Sequence, residues 1–342
     1  MNSRSIYQDI AQRTDGDIYI GVVGPVRTGK STFIKRFMET LVIPNIEGDY
    51  KHDRAVDELP QSGTGRTIMT TEPKFIPNEA VEVDLADNAK FNVRLIDCVG
   101  YIVPSALGYI ENDNPRMVMT PWFDKEIPFN MAAEIGTQKV ITEHSTIGLV
   151  ITTDGSIGEI PRAEYAEAEE RVVGELKEIE KPFVVLLNST HPTADETQQL
   201  RAEMEEKYNV PVLPVNCLEL GEQEIRTILE TVLFEFPVKE IGIDLPDWIA
   251  TLAPDHWLHS SLYASIHDAA QDISKIREVK GTLSGILNNE YVTNAKLNAV
   301  DLGSGTAGLQ VQVQQGLFYR VLGEETGFEI TGESDLIELM QT

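Results

Sequence analysis

Only two cysteines occur in 342 residues, Cys98 and Cys217. Two thiols cannot form a disulfide framework or a zinc ligand set, and they fit a reducing compartment. Both read as buried structural thiols. Basic residues are scarce as well. Lys and Arg number 28 against 55 Asp and Glu, a formal net charge of −27. The acids are spread through both halves and do not form a tail, so most read as solubilising charge. Such a surface repels nucleic-acid phosphates and does not suit anionic lipid, so no nucleic-acid partner is expected. No apolar run reaches about 18 residues, so no transmembrane span is expected. The opening residues lack the apolar core of a secretion signal. Hydrophobic residues still make up 42% of the chain, enough for sizeable cores, and the length predicts two domains.

What is present is a phosphate-binding loop. Gly24-Pro-Val-Arg-Thr-Gly29-Lys30-Ser31 is a complete G-x-x-x-x-G-K-[ST] motif. Asp17 to Gly24 is a short apolar run with β-branched residues, hence a buried strand. Phe33-Ile-Lys-Arg-Phe-Met then repeats apolar residues at helical spacing, so the motif lies between a strand and a helix, as it requires. The glycines let backbone N–H groups curl around the β-phosphate, and the helix N-terminus adds partial positive charge. Lys30 is positioned for the β- and γ-phosphates, and the Ser31 hydroxyl is a magnesium ligand. Gly24, Arg27, Thr28, Gly29, Lys30, Ser31 and Thr32 are the candidate nucleotide contacts in the loop. Arg27 reads either as a γ-phosphate contact or as a contact with a neighbouring subunit.

The first two-thirds of the chain alternates strand-like and helix-like segments. That rhythm predicts an α/β phosphate-loop NTPase domain with a mostly parallel, GTPase-like sheet, spanning residues 1–238. A smaller α+β domain is expected over 239–342. Strands are expected at Ala80 to Leu85, Phe91 to Asp97, Thr146 to Thr153 and Pro182 to Asn188. Helices are expected at Ala132 to Glu143, Pro161 to Ile179, Ala194 to Tyr208 and Ile225 to Phe234. Tyr101 to Phe129, with many Pro, Asn and Gly residues, reads as a large loop or insertion. In the second domain a helix from near His256 to about Glu278 is expected, with strand-like alternation around Leu309 and at Gly327 to Ile330. A short helix follows Ser334.

Asp97-Cys-Val-Gly100 ends an apolar strand downstream of the loop. An aspartate there holds magnesium, and the glycine N–H meets the γ-phosphate. Thr70 and Thr71 lie between the two motifs, where a switch threonine binds magnesium and senses the γ-phosphate. Either could fill that role; they read otherwise as residues entering a strand. Lys30, Asp97, Thr70 and Thr71 are therefore the catalytic candidates, and Ser31, Asp97 and Thr71 the metal candidates. A guanine-selective site of this class would carry N-K-x-D at the end of the strand that runs to Asn188. Here the strand ends Asn188-Ser189-Thr190-His191. Serine replaces the lysine that covers the base, and a neutral histidine lacks the paired acceptors of aspartate. The core therefore reads as a GTPase-like one adapted to ATP. Asn188 retains a bridging role to the phosphate loop. His191 reads as an exposed loop residue, less readily as a base. Asp57 and Glu58 orient water, meet another subunit, or are solvated acids before a turn.

Several blocks together resemble the stage IV sporulation protein A family of endospore-forming bacteria. They are Gly16 to Lys35, Asp57-Glu-Leu-Pro-Gln-Ser, Thr67 to Phe75, Leu95 to Tyr101, Glu143-His-Ser-Thr-Ile-Gly and Ile151-Thr-Thr-Asp-Gly. They cover the first domain almost continuously, and the likeness thins beyond Pro237. The resemblance implies a cytoskeletal ATPase, using ATP and magnesium, that assembles into the basement layer of the spore coat. It implies a cytoplasmic location on the mother-cell side of the outer forespore membrane. It further implies self-association, contact with other coat morphogenetic proteins, and a small amphipathic membrane-bound anchor recognised by a C-terminal region. The chain stops before that region, so the second domain reads as truncated. Two other readings stand beside this one: a monomeric regulatory GTPase, which the missing N-K-x-D disfavours, and a structural protein with a vestigial site, which intact Lys30, Ser31 and Asp97 disfavour.

Overall fold

The computed structural model describes residues 6–60, 66–68, 72–85, 89–111 and 114–341. The chain divides into two compact units, Met1–Phe236 and Pro237–Thr342. The first opens with α1 (Ile6–Arg13), a helix too short for its period to be read from sequence, then β1 (Asp17–Val23) and α2 (Lys30–Phe37). After α3 (Asp49–Asp57) come β2 (Lys74–Leu85) and β3 (Ala89–Asp97). The stretch expected to be a loop instead contains small hairpins, β4 (Ile110–Glu111) with β5 (Asn114–Pro115) and β6 (Met117–Thr120) with β7 (Phe123–Pro128). Val118 points inward between exposed Met117 and Met119, a period-two pattern too brief to stand out among the prolines and asparagines.

The remaining elements of this unit are α4 (Phe129–Lys139), β8 (Ile147–Thr153), α5 (Ala166–Glu178), β9 (Phe183–Asn188), α6 (Asp195–Tyr208), β10 (Val212–Val215) and α7 (Glu222–Phe234). Strand order is β10-β9-β8-β1-β3-β2, and every neighbouring pair is parallel except β2 with β3. This is the expected largely parallel α/β sheet of a phosphate-loop NTPase. Every residue of β8 and β9 is buried, as strands covered on both faces must be. The chain leaves β1 toward β3 on one side and returns to β8 on the other. The carboxyl end of β1 is therefore a topological switch point, where open α/β sheets bind ligands.

One polar cluster fixes α5 to the sheet. Glu169 is fully buried, and its carboxylate accepts both guanidinium arms of Arg162 at 2.7 and 2.9 Å. It also accepts the Thr152 hydroxyl at 2.6 Å and the Tyr208 hydroxyl at 2.8 Å. Every lone-pair direction of a buried charge is thus used, which makes its burial tolerable.

The second unit holds β11 (Glu240–Asp244), α8 (Asp247–Ala250), α9 (Trp257–Ala270), α10 (Val279–Leu287), β12 (Val292–Asp301), β13 (Thr306–Val313), α11 (Gly316–Thr326) and α12 (Glu333–Gln341). Its sheet runs β11-β13-β12, with Ala295, Leu309 and Val311 packed against Val279 and Ile286 of α10. The helix expected to reach Glu278 ends at Ala270. A new start intervenes, because Glu278 accepts the Ser274 N–H and hydroxyl at 2.9 and 3.1 Å. The strand-like alternation at Gly327 to Ile330 is not a strand. Gly327, in the left-handed region at φ 75°, caps α11 by donating to Gly323 at 2.8 Å. Among the described residues, no helix is long and apolar enough to cross a membrane.

Replacing Glu169 by alanine strands the Arg162 guanidinium and two hydroxyls. The expected loss is about 3–5 kcal/mol, read from urea unfolding of the first unit. A loss below about 1 kcal/mol, the range of a surface pair, would remove the cluster from its anchoring role.

Candidate nucleotide site

The phosphate loop leaves β1 at Gly24 and enters α2 at Lys30. Two clamps set its shape. On one side the Val26 N–H donates to the Tyr101 carbonyl at 2.9 Å, and the Tyr101 N–H donates to the Gly24 carbonyl at 3.3 Å. On the other side the Asn188 amide donates to the Thr28 carbonyl at 3.0 Å. Asn188 also accepts the Cys217 N–H at 3.1 Å, so its bridging role spans the turns after β9 and β10. Gly29 must be glycine. Its φ is 95°, and a Cβ there would lie 2.3 Å from the Asn188 amide nitrogen. As the residue preceding α2, Gly29 offers no side-chain cap, which leaves the first-turn N–H groups facing an incoming anion. Thr28 is buried with its hydroxyl on the Pro25 carbonyl at 3.0 Å, and Thr32 lies in the first turn of α2.

Lys30 is 5% exposed, and its ammonium donates to the carbonyls of Pro25 at 2.6 Å and Gly24 at 3.5 Å. Burial pulls its pKa below the usual lysine range, while the neighbouring Cys98 and Asp97 oppose that shift. The charge therefore sits inside the curl of the loop, held by backbone dipoles. Gly100 closes the curl from the β3 side. Its φ is 92°, and a Cβ would lie 2.2 Å from the Gly24 carbonyl oxygen and 2.7 Å from the Lys30 nitrogen. The Gly100 backbone thus lies directly beside the Lys30 ammonium.

Asp97 ends β3 with 3% exposure. One carboxylate oxygen accepts the Ser31 hydroxyl at 2.7 Å. The other is buried with no hydrogen-bond partner among the described residues. Burial raises its pKa, against the Ser31 hydrogen bond and the charges of Lys30 and Lys74. A buried, partnerless carboxylate oxygen beside a hydroxyl fits a hard divalent cation that brings water and phosphate as its remaining ligands. Among the described residues no group of three or more His, Cys, Asp or Glu could hold a metal.

The other candidates divide. Arg27 stands between the two clamps in the left-handed region at φ 61°, half-buried, with its pKa lowered by burial and raised by nearby Tyr165. Thr70 and Thr71 lie outside the described residues. At the base end, Ser189 is buried and its hydroxyl accepts the His191 N–H at 2.9 Å, while the His191 side chain is exposed. Glu58 accepts Arg54 at 2.9 Å and the Asn78 N–H at 2.7 Å, which ties α3 to β2. Two further residues, Tyr101 and Asp154, had no role assigned from the sequence. Tyr101 pairs with the loop only through tertiary contact. Asp154 accepts Ser156 at 2.9 and 2.6 Å and Thr197 at 3.2 Å, and its Asp-Gly-Ser turn composition was the available cue.

Residues 1–237 match the family model described as Stage IV sporulation protein A, ATPase domain, and residues 238–342 match the middle domain of the same family. The chain belongs to the stage IV sporulation protein A family. Curated relatives agree. Stage IV sporulation protein A of Clostridioides difficile (strain 630) is 51% identical over 338 residues, covering 99% of this chain and 69% of that protein. The Bacillus anthracis protein is 50% identical over 340 residues, covering 99% and 69%. The Bacillus subtilis (strain 168) protein is 49% identical over 341 residues, covering 100% and 69%. This is a sporulation protein with an ATPase domain, and the site above lies within that domain.

Burial pushes the Cys98 thiol up to about 11 and the Cys217 thiol up to about 12. The thiolate is the reactive form, so both should resist a disulfide reagent at pH 8 in the folded chain and react promptly in urea. Fast reaction of either thiol without denaturant would contradict the burial described.

Proposed function

We propose that the chain hydrolyses ATP with magnesium and uses that turnover to reach a conformation that self-assembles as the basement layer of the spore coat. The observation that carries the catalytic part is the Ser31–Asp97 pair beside the buried Lys30 ammonium, at the switch point of the sheet. Hydrolysis belongs to residues 1–238, with 239–342 as the middle domain. The loop backbone and the α2 N-terminus bind the β-phosphate, and Lys30 swings from the loop carbonyls to the terminal phosphates. Gly24, Arg27, Thr28, Gly29 and Thr32 line the phosphates, Gly100 offers its N–H to the γ-phosphate, and Asn188 keeps the loop in register. Ser31, Asp97 and Thr71 would hold magnesium, which would supply charge neutralisation at the phosphates. Thr70 or Thr71 senses the γ-phosphate. Turnover is slow, since neither a catalytic glutamine nor an arginine finger is evident in the sequence.

Base choice is supported by the geometry of the turn after β9. A buried Ser189 and an exposed His191 supply neither the lysine cover nor the paired acceptors that guanine needs. Assembly, the partners (further copies, other coat morphogenetic proteins, a small amphipathic membrane-bound anchor) and the site on the mother-cell face of the forespore membrane rest on the family.

Side-by-side turnover and competition binding test the catalytic reading. ATP is preferred over GTP, Lys30→Ala loses binding, and Asp97→Ala loses turnover more than binding. Ser189→Lys combined with His191→Asp shifts preference toward GTP. A parental affinity for GTP tenfold above that for ATP, about 1.4 kcal/mol, would defeat the reading. Sedimentation of a chain of the relatives' full length tests the assembly part. Polymer forms with ATP, and Thr70→Ala with Thr71→Ala abolishes it while ATP still binds. Equal pelleting with ATP, without nucleotide and in the double variant would refute the coupling.

A further inference from the structure

One short turn outside every recognised motif holds the segment that follows Gly100. Arg162–Tyr165 form a tight turn that leads into α5. Its first residue is bolted to the buried Glu169 cluster, so the turn cannot drift from the sheet. Its last residue, Tyr165, is 1% exposed, and burial pushes its hydroxyl up to about 12, so it packs there as a neutral phenol. Between them Glu164 grips Ser105 with both carboxylate oxygens. One accepts the Ser105 N–H at 2.7 Å, and the other accepts the Ser105 hydroxyl at 2.6 Å.

Ser105 belongs to the segment that follows Asp97 and Gly100. That segment is held at further points. Tyr101 pairs with Gly24 and Val26 through its backbone, and its hydroxyl donates to Glu175 of α5. Leu107 exchanges backbone hydrogen bonds with Arg66 at 3.0 Å and Ile68 at 2.8 Å. Of these attachments, the Glu164 grip is the charge-assisted one that reaches the backbone between Gly100 and Leu107. Both of its bonds are short, and the carboxylate is itself held by an anchored turn.

We propose that Glu164 is a positioning residue of the nucleotide site, which holds the segment after Asp97 so that the Gly100 backbone stays beside the Lys30 ammonium. Glu164 touches neither phosphate nor metal. It acts through Ser105 and the chain that runs back to Gly100, and it therefore bears more on the terminal phosphate than on the β-phosphate. The proposal rests on the ATPase reading above.

The test compares a slowly hydrolysed ATP analogue with ADP, both with magnesium, by calorimetric binding to the purified chain. Glu164→Ala is expected to weaken the triphosphate about tenfold and to lower kcat similarly, because two hydrogen bonds to a charged group are lost. ADP affinity should fall clearly less, because the Tyr101 backbone pairs with Gly24 and Val26 still hold the loop around the β-phosphate. Glu164→Gln retains an acceptor for the Ser105 N–H and should recover most of the loss. Should Glu164→Ala fail to fold, Ser105→Ala removes the hydroxyl bond alone and should shift the triphosphate-to-ADP ratio in the same direction by a smaller factor. Equal losses for both nucleotides, or a parental ratio with parental kcat in a folded variant, would overturn the assignment. A parental chain that binds neither nucleotide would instead overturn the ATPase reading, and this assignment with it.

Discussion

Everything at the nucleotide site depends on keeping a lysine ammonium buried inside a curl of backbone. Lys30 has almost no contact with water, and the loop carbonyls of Pro25 and Gly24 hold its charge. A cation in that position is tolerable only if nearby dipoles and charges replace its hydration. Asp97 and the carbonyl-lined loop provide this. The need also explains why the loop cannot carry side chains freely: a Cβ on Gly100 would press on the ammonium itself. The same closeness concentrates positive charge within the curl of the loop.

The sheet turns this local demand into architecture. β1 lies between β3 and β8, so its carboxyl end is flanked by Asp97 on one side and by the turns after β8 and β9 on the other. Asn188 links the turns after β9 and β10 to the loop through both ends of its amide. The buried Glu169 cluster fixes α5, and with it the turn that faces Arg27 and Ser105. Rigidity at the base and phosphate ends therefore has two separate sources, one in the sheet and one in α5.

Arg27 illustrates the cost of this design. A non-glycine residue in the left-handed region is strained by roughly 1 kcal/mol or more, and glycine would relieve it. The clamps on Val26 and Thr28 keep the strain in place. Arg27 is thus a strained residue inside the phosphate loop itself.

The sequence alone determined the parts whose cause is local. The phosphate loop is a contiguous string between an apolar strand and a helical repeat. Asp97 and Gly100 end a visible strand, and Asn188-Ser-Thr-His is a contiguous departure from a guanine motif. The buried strands β8 and β9 were legible as continuous apolar runs, because a parallel sheet covered on both faces admits no alternation. Short elements were not legible. α1 spans too few residues for a helical period, and the hairpins β4–β7 are too brief to rise above their prolines and asparagines. A break after Ala270 depended on a cap formed by Glu278. Only the tertiary structure decided that Tyr101 pairs with the loop, that Glu164 holds Ser105 from 59 residues away, and that one oxygen of Asp97 is buried with no described partner. Such contacts join residues whose spacing along the chain follows no period, so the pattern exists only once the sheet has brought them together.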